Sequence, residues 1–137
     1  EIRMSNAGVR SSNVEVEMRI IVDDLKERTK KFALDVITFC SSLPNRQEFW
    51  IIKRQLVKCA TSVRANYWSS CRAKSKADFI AKLSIVEEEA NESMFWMELV
   101  RELTAVESGE LRRLHDEANQ LTSIVVKSKK TAKAHAG

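Results

Sequence analysis

Turn-forming residues are scarce. Three glycines and one proline in 137 residues leave too few turns for an all-β architecture. No run of about 18 apolar residues occurs, so no membrane span is expected. The first residues, "EIRMSNAGVRSSN", lack an apolar signal core, and secretion is not indicated. Cys40, Cys59 and Cys71 are odd in number and lack metal-ligand spacing. They read as reduced thiols of a cytoplasmic protein rather than a disulfide framework or a metal knuckle.

Charge is plentiful, and it is sorted along the chain. The net charge is +4. Residues 46–76 carry eight basic groups and one acidic, net +7, whereas residues 77–110 carry two basic and nine acidic, net −7. Two readings follow. A basic helix lies beside an acidic one, in the same chain or in a neighbouring copy. Otherwise the basic segment is a face for polyanions.

Between three breaks, apolar residues recur at alternating steps of three and four, which keeps side chains on one helical face. The rows are Val14, Met18, Ile21, Leu25, Phe32, Val36, Phe39 and Leu43, with Thr29 filling a step; Phe49, Ile52, Leu56, Cys59, Val63 and Asn66; Phe79, Leu83, Val86, Ala90, Met97 and Val100, with Ser93 inside the row; and Leu111, Leu114, Ala118, Leu121 and Val125. The breaks are "SSLPNRQEF", "SKAD" and "ESGEL". Asn45 with Glu48, and Ser75 with Asp78, carry the spacing of reciprocal helix caps. Gly109 ends or starts a helix at low cost, and Glu110 suits a first turn. The expected fold is all-α, an antiparallel up-down four-helix bundle over residues 14–126. Residues 1–13 read as a disordered lead and 127–137 as a basic, fraying tail.

Two helices carry a second row. Ile85, Trp96, Leu99 and Leu103 lie on a flank of helix 3, with Glu89 and Glu92 in its gaps. Trp50, Val57, Arg64 and Trp68 share a flank of helix 2, beside Arg54, Lys58 and Arg72. Trp96 reads as the edge of a wide core stripe. Trp50 and Trp68, on a basic flank, fit a contact with another copy of the chain, because aromatic residues and Arg anchor interfaces. Base stacking combined with phosphate pairing is the alternative. Candidate interface residues are therefore Trp50, Trp68, Ile85, Trp96, Leu99 and Leu103. Candidate nucleic-acid contacts are Lys53, Arg54, Lys58, Arg64, Trp68 and Arg72. Asn66, in an apolar row, either fixes register through partners such as Ser62 and Ser93 or faces water at a helix end.

Chemistry finds little support. No Glu has His three residues later, so the di-iron pattern of helical bundles is missing, and no metal or other cofactor is expected. No cysteine has a convincing His partner, and no glycine-rich phosphate loop is present. The expectation is a protein that is not an enzyme.

"RQLVKCATSVRANY", "RAKSKADFIAKLSI" and "EEANESMFWMEL" resemble the small bacterial four-helix-bundle proteins encoded in intervening sequences of large-subunit ribosomal RNA genes. A relative is the accessory protein of diversity-generating retroelements. The likeness spans about residues 24–126 and is carried by Gln55-Leu56, Thr61-Ser62, Ala65-Asn66-Tyr67, Ser75 with Asp78-Phe79, Glu89-Ala90-Asn91-Glu92, and Trp96. It implies a bundle that assembles into a ring, commonly a homopentamer, with a basic surface that holds RNA or DNA and no enzymatic activity. The sequence departs from such proteins at Arg64, where glycine is usual, and at Trp68–Cys71, where a Glu-Ala or Glu-Gly pair is usual. The corner is therefore more basic than its relatives'. The expected function is a non-enzymatic homo-oligomeric scaffold binding nucleic acid. The alternative is a structural or protein-interaction module whose basic and acidic helices pair between subunits.

Overall fold

The computed structural model describes residues 6–105 and 108–135, with side chains from residue 12 onward. Four helices account for it: α1 (Asn6–Ser41), α2 (Gln47–Ser70), α3 (Lys76–Thr104) and α4 (Gly109–Ala134). Each helix packs on its neighbours in the chain, and α4 returns to α1. Ion pairs fix the direction of the closing seam, because Arg28 meets Glu117 while Asp35 meets Arg113. Rising numbers on α1 face falling numbers on α4, so the two run antiparallel. The all-α bundle is the architecture the apolar rows predict. Among the described residues no helix is long and apolar enough to cross a membrane.

The core follows the rows closely. On α4 every predicted position is buried: Leu111, Leu114, Ala118, Leu121 and Val125. On α1, Thr29 fills its step at 1 % exposure, and its hydroxyl donates to the Leu25 carbonyl at 2.7 Å. This backbone bond removes the cost of burying the hydroxyl. On α2, Tyr67 rather than Asn66 completes the row. Tyr67 lies 18 residues after Phe49, five full turns at 3.6 residues each, and so stands on the same line as the first core residue.

α1 departs from expectation at its beginning. Val14, Met18 and Ile21 continue the row that Leu25 joins to the core, yet they are half exposed, and Leu25 is the first buried residue among those whose side chains are described. α2 is too short to cover them. α1 has 36 residues against 24 in α2, a difference of about 18 Å at 1.5 Å per residue. Its first turns therefore outrun α2, while α4, although it continues to Ala134, does not bury them. Helix begins at Asn6, inside the stretch read as a lead, and residues 1–5 lie outside the described residues. α4 likewise continues to Ala134, through the stretch read as a fraying tail. Lys129 is anchored there by Glu87 of α3 at 2.9 Å, and Lys76 donates to the His135 carbonyl.

The helix ends show which local signals operate. Ser75 caps α3 as predicted: its oxygen accepts from the Asp78 N–H at 3.0 Å, and the Asp78 carboxylate accepts from the Lys74 N–H at 3.0 Å. Ser108 caps α4 by accepting from the Leu111 N–H at 3.2 Å. Asn45 does not cap α2. The N-cap is Arg46, without a side-chain bond, and the Asn45 oxygen accepts instead from the Trp50 indole at 2.8 Å. Gly109 starts α4 and leaves the end of α3 to Ala105, which sits in the left-handed region at φ 53°.

Candidate nucleic-acid interface

α2 sits between α1 and α3, and its two flanks differ. The α1-facing flank carries Trp68, 43 % exposed. Three cations gather on its ring: Arg64 with Cζ at 4.9 Å from the centroid, Arg72 at 5.2 Å, and Lys26 of α1 with Nζ at 5.8 Å. Arg64 and Arg72 stand four residues before and after Trp68, one turn away on either side. Arg64 also donates from Nη1 to the Lys26 carbonyl, which ties α2 to α1. The fold thus unites Arg64, Trp68 and Arg72 as the sequence analysis proposed, and it adds Lys26. No motif marked Lys26, because its role arises only when α1 lies against α2.

Among the described residues, Lys26, Lys53, Arg54, Lys58, Arg64 and Arg72 have no carboxylate within ion-pair distance. Some cations elsewhere are answered, Arg28 by Glu117, Lys31 by Asp35, Arg46 by Glu48, Lys82 by Asp78, Arg113 by Glu110 and Asp35, and Lys129 by Glu87, while others, such as Arg19, Lys30 and Lys74, show no such partner among the described residues. Lys53 lies partly buried beside Cys40, while Arg54, Lys58 and Arg72 are exposed. Trp50 is 53 % exposed, with its indole N–H held by Asn45.

The α3-facing flank is apolar at one end and polar at the other. Ile51, Phe95, Leu99 and Leu103 are exposed at the apolar end, and Ile85 is exposed near the polar one. Ile51 and Phe95 join the predicted apolar positions, and neither falls in a row read from spacing. Trp96 is part-buried against the core, edge-on to Phe95 at 4.9 Å, and its indole N–H is buried without a partner. At the polar end Asn66 donates to the Ser62 carbonyl at 3.0 Å and hydroxyl at 2.9 Å. Ser93 takes no part; its hydroxyl donates to the Glu89 carbonyl at 2.9 Å.

Cys59, Glu89 and Glu92 bring donor atoms within 4.8 Å of one another across α2 and α3. Spacing along the chain could not show this, since Cys59 lies in one helix and both acids in the next. Burial, with help from Glu92, pushes the Cys59 thiol up to about 12. The thiol therefore stays protonated near neutral pH and is a poor nucleophile. Burial first, and Glu92 second, raise the Glu89 carboxyl. Burial pushes Cys40 up to about 11, while Cys71 is exposed. A groove of about 420 Å³ near the α1–α2 loop is lined by Phe39, Leu43, Pro44, Val100 and Leu103, with Arg46 its one titratable group. A cleft beside His115 and Glu98 encloses only about 50 Å³, well below the several hundred Å³ of ordinary ligand pockets.

Fold and surface together define an all-helical up-down bundle whose distinguishing feature is a basic, aromatic helix flank. The model of the 23S rRNA-intervening sequence protein family matches residues 24–127, and the chain belongs to that family. It is also similar to the crystal structure of a protein with unknown function from the S23 ribosomal protein family of Bacteroides thetaiotaomicron. The two are 26 % identical, with a TM-score of 0.73 over 80 % of this chain and 97 % of that one. No curated protein matches the chain.

Proposed function

We propose that the protein is a non-enzymatic, homo-oligomeric helical scaffold that binds the backbone of RNA or DNA on the α1–α2 flank. One observation carries this reading: Lys26, Arg64 and Arg72 converge on Trp68 with no carboxylate within ion-pair distance among the described residues, and Lys53, Arg54 and Lys58 of the same helix as Trp68 likewise have none. Unpaired positive charge on one face attracts phosphates and releases condensed counterions. Self-association rests on a separate observation. Leu99, Leu103, Ile51 and Phe95 on one side, and Val14, Met18 and Ile21 on the first turns of α1, leave apolar surface on water. Copies of the chain can cover it, and two dissimilar patches meeting head to tail close a ring. The homopentamer implied by the family likeness is such an arrangement. Trp50, Trp68, Ile85 and Trp96 belong to the same proposal as contacts flanking these patches.

A second reading has support from α3. Glu88 and Glu92 form no ion pair among the described residues, so a neighbouring copy's Arg54, Lys58 and Arg72 could meet them and leave no charge for polyanions. Mass in solution, measured with and without a structured RNA at low salt, separates the two. A multiple of 15.6 kDa that gains mass with RNA is expected. An oligomer that ignores RNA supports the interaction module. A well-folded single subunit refutes assembly.

A further inference from the structure

We propose that Trp68 with Lys26, Arg64 and Arg72 is a phosphodiester-binding cluster in which the indole spaces and orients the cations rather than stacking on a base. The inference rests on the nucleic-acid reading and specifies what that face recognises. Base stacking needs a free π face. Here Arg64 and Arg72, one turn before and after Trp68, hold their guanidinium groups over the ring at 4.9 and 5.2 Å from the centroid, where a stacked base would have to lie. Lys26 adds a third charge at 5.8 Å. Three like charges repel, and no carboxylate relieves them within ion-pair distance among the described residues. The ring quadrupole holds each cation in place. The Lys26 carbonyl fixes one guanidinium nitrogen of Arg64, while Arg72 stays exposed. Guanidinium forks held in this way suit the oxygens of a phosphodiester, a planar recognition that a mobile lysine does not offer. Affinity should then follow the backbone and ignore the bases.

The test compares the full-length protein's affinity at low salt for two labelled 20-nucleotide single strands. One is an ordinary DNA oligonucleotide, and the other carries abasic sugars on the same phosphodiester backbone. The two affinities should agree within about threefold, since counterion release depends on phosphates alone. Arg72→Gln should weaken both by a similar factor of about three to ten. Trp68→Phe, which keeps a ring for the cations, should bind both strands like the parent. Helical circular dichroism and melting confirm that each variant is folded. A loss of more than about tenfold on the abasic strand, abolished in Trp68→Ala, would mean that the indole stacks. That result overturns this inference and leaves the nucleic-acid reading standing. Equal binding that Arg72→Gln does not change removes the cluster as the site. Failure of both strands to bind at low salt overturns both proposals.

Discussion

Breaking the Arg28–Glu117 fork should show whether charge closes the bundle. Of the four adjoining helix pairs, α1 and α4 share the least contact, so polar links carry a larger share there. Arg28 donates from Nε to one Glu117 oxygen at 3.0 Å and from Nη2 to the other at 2.6 Å, and Nη2 also reaches Gln120 at 3.1 Å. The two side chains are 26 % and 22 % exposed. Exposed pairs couple by about 0–1 kcal/mol, and breaking a buried one costs about 3–5 kcal/mol. A two-pronged, charge-assisted pair at this intermediate exposure should couple by about 1–2 kcal/mol. The perturbation is a double-mutant cycle of Arg28→Met and Glu117→Leu. Each single variant leaves one member of the fork without the other and the double variant removes both; Asp24, 3.9 Å from Arg28, loses that neighbour equally in Arg28→Met and in the double variant, so it cancels in the cycle. The double variant should therefore lose clearly less than the sum of the singles. Unfolding in denaturant is followed by helical circular dichroism at one fixed subunit concentration, because self-association would move the midpoint. Coupling should also fall between low and high salt. A coupling below about 0.3 kcal/mol, within ordinary additivity, would refute the claim that this fork holds α4 on α1.

Other expectations follow from the same contacts. Ala105→Gly relieves a left-handed residue at the end of α3 and should stabilise by about 0.5–1 kcal/mol, a rise of a few degrees in Tm by calorimetry. Lys31, chiefly, and Arg113 hold the Asp35 carboxyl below its ordinary value. Its stabilisation is therefore present above about pH 4 and lost as pH falls through the lower folded value. Asp35→Asn should flatten the acid limb of Tm against pH and leave the pH dependence at neutrality unchanged. Arg54→Gln with Lys58→Gln should reduce the slope of log affinity against log salt by about 2 for duplex DNA, read by fluorescence anisotropy. An unchanged slope would mean that these charges never met the backbone. A chain lacking residues 1–22 should stay helical and show a smaller or less stable oligomer by light scattering. Retention of the full mass and dissociation constant would remove the first turns of α1 from the interface.

Particular residues show how far sequence reasoning reaches. The α4 row was fully legible because every member lies on one face and that face has a neighbour along its length. The Ser75 cap was legible because donor and acceptor stand three residues apart. Asn45 shared that pattern and failed: Trp50, a turn away, offered its oxygen a competing donor. Asn66 and Tyr67 both fit a rule of threes and fours, and only the accumulated 3.6-residue pitch puts Tyr67 inside. In the candidate site, Arg64, Trp68 and Arg72 were legible as neighbours on one helix. Lys26 was not, and neither was the meeting of Cys59 with Glu89 and Glu92.

By itself the sequence determined four helices, most of their ends and the faces they bury. Periodicity, caps and the shortage of glycine and proline act within a few residues, where chain connectivity already sets distance. Tertiary structure decided which stretches of those faces are covered. Val14, Met18 and Ile21 have the same spacing as Leu25 and Phe32, yet they meet water because α2 ends near their level and no other helix covers them. Packing also decided which charges find partners. Arg28 lies opposite Glu117 while Lys26, two residues earlier, lies opposite Trp68 and Arg64, and a position in the chain carries no record of what another helix brings beside it.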